Sequence, residues 1–339
     1  DQTPADAGRP SLVLQLGKEQ PSWLQGRLEA LFQGRTQLPV VVVPGDEEVS
    51  AVSGSVVLSV GLTTTQAKLV PDNDTAYQGL KEDGYVVRSR VEGGVTRIVC
   101  RGKKSHLYKL AVNRGDLYAL YHALEGLGFA FLHPLEPTLP TAIALPAADL
   151  EVARSPRWEI RGWQVHTMHP LELCDMLNGW GKTGRDDAKG FDELLSEWRL
   201  FLEWLLANKQ VQVQWPLLDS PSWGNFGESA TRLARLKKLA DIAHEYGIAL
   251  GVDVGIALRQ QHTFRLIRQE GDTQQELKQL RDRVDWLMGA GFDFLSTEIG
   301  SSEFTSPDDT KMLSWIDALG THLRDHHGGK TAHIKVHVS

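Results

Sequence analysis

Five short apolar segments, 160–166, 211–215, 248–254, 292–297 and 332–338, alternate with amphipathic stretches over the second half of the sequence. The first stretch carries Phe191, Leu194, Leu195, Trp198, Phe201, Leu202 and Leu205 on one helical face. The second carries Leu233, Leu236, Leu239, Ala240 and Ala243, and Gly247 follows as a helix stop. The third opens on Thr273-x-x-Glu276, the pattern of a capping box, and continues through Leu277, Leu280, Val284 and Leu287. Ser306-Pro307 marks the start of the fourth. A strand that returns to the sheet through a helix must lie parallel to the strand before it, so the pattern predicts a parallel sheet with helices outside.

Doubly wound sheets and (β/α) barrels share this alternation. No Gly-rich dinucleotide loop follows the first strand, which favours the barrel. Each unit takes about 45 residues against about 31 in a minimal barrel. The extra length falls after the strands, at 170–190, 216–228 and 255–272, where such barrels build their active sites. Eight strands close a barrel and five are legible, so a further segment or a second chain is expected to complete it.

The first half differs. Residues 1–36 read as a polar tail and a short helix over Trp23–Phe32. Residues 37–150 hold β-branched segments at 40–43, 56–60, 84–91 and 96–100, with Gly93-Gly94 as a hairpin turn. A helix follows, with Leu117, Leu120, Tyr121, Leu124 and Leu127 on one face and Gly128 past its end. This predicts a small α+β domain. Pro134, Pro137, Pro140 and Pro146 then read as a linker, and residues 151–339 as the first part of the barrel.

Charge excludes one class of partner. The net charge of -7 leaves no cationic surplus for phosphates, so no nucleic-acid binding is expected. No apolar run approaches the roughly 20 residues of a membrane span. The polar, Pro- and Gly-containing start at Asp1 fits a processed terminus, which predicts a secreted, periplasmic or lipoprotein location. Cys100 and Cys174 read as two buried free thiols, with no metal-site spacing.

Functional groups of a barrel sit at strand C-termini. There the sequence offers Trp163, His166 and His169, then Gln214 and Trp215, then Asp253, then Thr297, Glu298 and Glu303, then Lys335 and His337. Carboxylates, imidazoles and indoles suit a glycan, whose ring faces stack on Trp and whose hydroxyls bond to polar groups. Glycoside hydrolysis needs a carboxylic acid beside the leaving oxygen. Glu298 is the candidate acid; a salt-bridged rim carboxylate is its structural alternative. His166, His169, Trp215, Asp253, Glu303 and His337 are the candidate substrate-binding residues. His166, His169 and Asp253 would also make a metal set, but hydroxyl binding is the reading preferred, and no metal or other cofactor is expected. His106, His122 and His244 read as surface or packing residues, and His326-His327 as cationic groups at a helix C-terminus.

Three stretches carry a resemblance. Gly84-Tyr85-Val86-Val87, the helix at 117–128 and the run from Phe131-Leu132-His133-Pro134 to Pro140 look like the α+β domain that precedes the barrel in family 20 hexosaminidases and family 67 α-glucuronidases. Arg161-Gly162-Trp163 is similar to the Arg-Gly-aromatic opening of those barrels. The resemblance implies a glycoside hydrolase-like barrel acting on a poly- or oligosaccharide. Family 20 enzymes carry adjacent Asp-Glu at the fourth strand, where the Asp orients the substrate acetamide and the Glu is the acid. The pair here is Thr297-Glu298: the acid carries over to Glu298, and the acetamide-orienting Asp has no match. A second carboxylate is then expected from a later strand, and a non-catalytic glycan-binding barrel is the competing expectation.

Overall fold

The Val-rich and Leu-rich runs of the first half form strands because β-branched and apolar side chains pack well on a pleated surface. A computed structural model describes residues 8–146, 149–165, 173, 177–178, 188–219, 226–257, 262–300 and 308–337. Its described residues divide into two units: 1–161 with 200–210 and 245–247, and the rest.

The first unit is built on a six-stranded sheet, β1 (Leu12–Leu16), β2 (Val40–Pro44), β3 (Val56–Val60), β4 (Tyr85–Glu92), β5 (Val95–Gly102) and β6 (Leu150–Arg154), in the order β2-β1-β3-β5-β4-β6. β1, β2, β3 and β5 run parallel; β4 runs antiparallel to β5 and to β6. Gly93 and Gly94 join β4 to β5 as a two-residue turn with φ of 57° and 75°. That left-handed pair suits the strand twist and is strained for residues with a Cβ, so the hairpin expectation holds. Helices α1 (Trp23–Phe32), α2 (Thr64–Leu69), α3 (Thr75–Gln78) and α4 (Arg114–Gly126) connect the strands. α4 is buried through Leu117, Tyr118, Leu120, Tyr121 and Leu124, the face its periodicity predicts, and Asn113 caps its first turn.

Two boundaries are corrected. Residues 1–36 are not a tail and a helix alone: Leu12–Leu16 is an interior strand of this sheet, paired on both sides. Its unalternating apolar pattern reflects burial on both faces, as in other parallel strands. Residues 151–154, assigned from sequence to the barrel side, belong with Leu150 to the edge strand β6.

Buried charge pins this unit. Arg114 donates to both oxygens of Asp83, at 3.2 Å each, and to the carbonyl of Gly247 at 3.0 Å. Arg161 donates to Asp83 Oδ2 at 3.2 Å and to the carbonyl of Lys209 at 2.7 Å. Asp116 accepts from the Gly102 amide at 2.7 Å, from Asn113 at 2.9 Å and from Gln20 at 3.0 Å. Burial pushes its carboxyl up to about 7 despite those donors. Cys100 is a buried free thiol, as expected; Cys174 lies outside the described residues.

The second unit holds β7 (Gly162–Gln164), β8 (Gln212–Pro216), β9 (Ala249–Asp253), β10 (Phe294–Gly300) and β11 (Thr331–His337). All pairings are parallel and the order follows the chain. Helices α5 (Ala188–Ala207), α6 (Ala230–Glu245), α7 (Thr273–Gly289) and α8 (Asp309–His326) form the four crossovers. This is the TIM-type (β/α) architecture that the alternation predicts. Among the described residues no helix is long and apolar enough to cross a membrane.

Helix starts differ by one or two residues from the expectation. Asp272, not Thr273, caps α7, accepting from the Gln275 amide at 3.3 Å. Glu276 instead turns inward. Its buried carboxylate accepts from the Gly271 amide at 2.6 Å, from Trp315 Nε1 at 3.2 Å and from Lys311 at 2.7 Å. Burial raises its pKa, but these partners outweigh burial and hold the group below the ordinary carboxylate range. Asp308 caps α8; Ser306 and Pro307 lie outside the described residues.

Candidate functional site

Side chains alternate between the two faces of a strand, and register partners of a parallel pair share a face. Gln164 pairs with Gln214, Gln214 with Gly251, Asp253 with Ser296, and Glu298 with Lys335. All of these positions lie on one face of the parallel sheet. Val213, Trp215, Val252 and Thr297 belong to the other.

The polar face is organised around Asp253. Gln164 Nε2 donates to Oδ2 at 3.1 Å and Gln214 Nε2 to Oδ1 at 3.3 Å. Lys335 Nζ lies 2.7 Å from Oδ2, an ion pair without the alignment of a hydrogen bond. Four strands therefore converge on one buried carboxylate: β7, β8 and β11 send donors to the end of β9. A partly buried ion pair of this kind persists only where further polar partners satisfy both groups. Ser296, in register with Asp253, is buried, and its hydroxyl has no hydrogen-bond partner among the described residues.

Below this layer the face turns apolar. Phe294 lies across Gly251, where a Cβ would sit 2.1 Å from its ring, so only glycine admits it. His333 stacks on Phe294, with centroids 4.4 Å apart. Burial lowers the His333 pKa, against a smaller opposing pull from Asp253. The result is an aromatic layer under a charged rim.

Glu298 extends that rim by one strand. Its position is directly opposite Lys335, and no hydrogen bond or ion pair holds its carboxylate among the described residues. It is half-buried, whereas Asp253 is almost wholly enclosed.

The loops at this end of the sheet are fastened from beneath. Buried Arg232 of α6 donates to the carbonyls of Leu218, Gly227 and Asn178 at 2.6, 3.0 and 3.2 Å. Burial lowers its pKa to about 9. Arg268 bridges Asp219 and Glu228 at 2.6 Å each, linking the segments after β8 and β9.

The sequence candidates separate accordingly. Asp253 and Glu298 share the polar face, Glu298 lying two residues beyond the register partner of Asp253. Trp215 does not join them: its side chain is fully buried on the opposite face and packs edge-on against Phe292, 5.8 Å away. No ring face is left for a sugar. A place at a strand end does not decide which way a side chain points, and Trp215 has the parity of the helix-facing residues. His337 ends β11 opposite Gly300. His166, His169 and Glu303 lie outside the described residues. Arg161 of the Arg-Gly-Trp opening is a structural clamp through Asp83 and Lys209. Gln214 and Lys335, offered at the strand ends, meet Asp253; Gln164 is the partner that the sequence reading leaves out, and its place shows only through the register of β7 with β8.

No protein-family profile matches the sequence, and no curated protein matches it either. Solved structures do share its fold. CpGH84B aligns with a TM-score of 0.50 and 11% identity, over 96% of this chain and 46% of that one. A mutant β-hexosaminidase of Streptomyces plicatus, in complex with its product GlcNAc, aligns with a TM-score of 0.53 and 12% identity, over 94% of this chain and 60% of that one. The chain thus spans about half the length of these structures. The fold is glycoside hydrolase-like.

Proposed function

We propose that this protein acts on a poly- or oligosaccharide by cleaving a glycosidic bond, with Glu298 as the general acid at the strand ends of the barrel. The observation that supports this most is the contrast on one face of the sheet: Asp253 is held by two glutamines and a lysine, while Glu298, opposite that lysine, is left without a partner among the described residues. A carboxylate held by several donors is a poor proton carrier, while its remaining lone pairs can accept from sugar hydroxyls. A half-buried carboxyl free of partners can take a proton and deliver it to a leaving oxygen. Gln164 and Gln214 keep Asp253 in one orientation, and Lys335 balances its charge.

The test uses aryl glycosides and natural oligosaccharides as substrates for wild type and Glu298→Gln. Loss of a general acid costs on the order of 10²–10⁴-fold in turnover. The reading predicts that loss in kcat with glycan binding retained. Turnover that is undiminished in Glu298→Gln would overturn it.

A second reading has its own support. Thr297, where family 20 enzymes carry the acetamide-orienting Asp, is buried on the helix-facing side. A barrel lacking that group binds glycans without cleaving them if no other carboxylate opposes Glu298. Glycan binding by wild type with no turnover of any substrate would favour this reading over the first.

A further inference from the structure

At the opposite end of the second unit, where α8 descends towards the start of β11, three ligand-type side chains converge. His322 Nε2 lies 2.7 Å from Asp285 Oδ1, and His327 Nε2 lies 2.8 Å from the same oxygen. One coordinating atom from each of the three residues falls within 4.8 Å of the others. Asp285 belongs to α7, His322 to α8, and His327 is the residue that ends α8. On a continuous helix, positions five apart point roughly 140° away from each other. His327 escapes that geometry because, as the C-cap, its φ of -123° departs from the helical value. The cap thus swings the second imidazole back to the face of the first, and their ring centroids stand 5.2 Å apart.

We propose that Asp285, His322 and His327 form a site for one divalent transition-metal ion of the zinc class, which clamps α7 to α8. Two imidazole nitrogens and one carboxylate oxygen are a standard zinc donor set. Metal–ligand bonds of about 2.0–2.2 Å in a tetrahedron place donor atoms roughly 3.3 Å apart. The present Asp285–His322 and Asp285–His327 separations of 2.7 and 2.8 Å are those of N–H donors on a shared oxygen, so metal entry requires these two pairs to open by about 0.5 Å, with the imidazole nitrogens, already within 4.8 Å, settling at a similar spacing. The protons balance simply. A neutral ring moves its proton to Nδ1 and offers Nε2 to the metal, while an imidazolium releases one proton to solvent. The C-terminal end of α8 adds the negative end of the helix dipole, which favours a cation there. His322 is almost fully buried and Asp285 is exposed, so the site has a fixed inner ligand and an open outer position for water.

This site is remote in the topology from the polar face at the strand C-termini, and its test does not depend on glycan cleavage. Chelator-treated protein is titrated with Zn²⁺ by calorimetry and with Co²⁺ by visible absorption. The expected result is one equivalent bound with a dissociation constant of about 10 µM or tighter, and tetrahedral Co²⁺ bands. At 100-fold excess over that constant, Zn²⁺ raises the thermal midpoint by several degrees. His327→Gln and Asp285→Asn, which alter accessible side chains, each weaken binding at least about 10-fold; His322→Ala abolishes it. His106→Gln, in the first unit, leaves binding unchanged. Absence of saturable one-equivalent binding overturns the site, as does binding that survives both His327→Gln and Asp285→Asn.

Discussion

In the first unit Asp83 and Asp116 sit away from water, and each carboxylate oxygen meets a donor from the chain's own arginines, amides or side-chain amides. On the parallel sheet of the second unit, Asp253 is tied in the same manner, but Glu298 on the neighbouring strand is not. Desolvated carboxylates that are fully satisfied hold a fold together, because removing any one partner leaves charge uncompensated. A carboxylate kept half-buried and unbound contributes little to the fold and is retained at a cost. The contrast separates structural acids from one that has no partner among the described residues.

Four substitutions sharpen or break that contrast. Arg114→Ala strips Asp83 Oδ1 and leaves Oδ2 with Arg161 alone, and should cost about 3–5 kcal/mol in denaturant unfolding. A cost below about 1 kcal/mol would mean that the pair behaves like a surface salt bridge. Asp253→Ala frees two glutamines and Lys335 and should cost about 1–3 kcal/mol, with loss of glycan binding in the same protein. If binding persists, Asp253 is scaffold alone.

Asp116 links the comparison to pH. Its folded-state pKa is raised to about 7, so the protonated form is the one the fold prefers. The stability it contributes is complete below the unfolded carboxylate range near 4 and is lost as pH rises towards 7. The thermal midpoint should therefore fall across that window, and Asp116→Asn should flatten the slope. An unchanged slope would assign the pH dependence to another group. Smallest of all, Glu298→Gln should move stability by no more than about 0.5 kcal/mol, while turnover collapses. A large loss of stability would place Glu298 among the structural acids instead.

Periodicity made much of the architecture legible. The leucine stripe of α4, the apolar faces of α5 to α7 and the Gly93-Gly94 turn all appear where spacing put them, because local patterns report burial directly. β1 escaped because a short apolar run buried on both faces has no alternation to read. Glu276 escaped because a capping-box spacing and an inward-facing acid look identical until Trp315 and Lys311 arrive from α8. Trp215 was assigned to the rim by residue type, and the face it occupies is a matter of register.

What the sequence by itself determined is the order of strands and helices, hence a parallel (β/α) sheet behind an α+β unit, since those follow from the period of hydrophobic residues along the chain. Only the tertiary structure decided which polar residues meet. Gln164, Gln214, Asp253 and Lys335 are spread over four strands, and Asp285, His322 and His327 over two helices and a cap. Their convergence depends on pairing register and on a helix terminus, and neither leaves a signature in local sequence spacing.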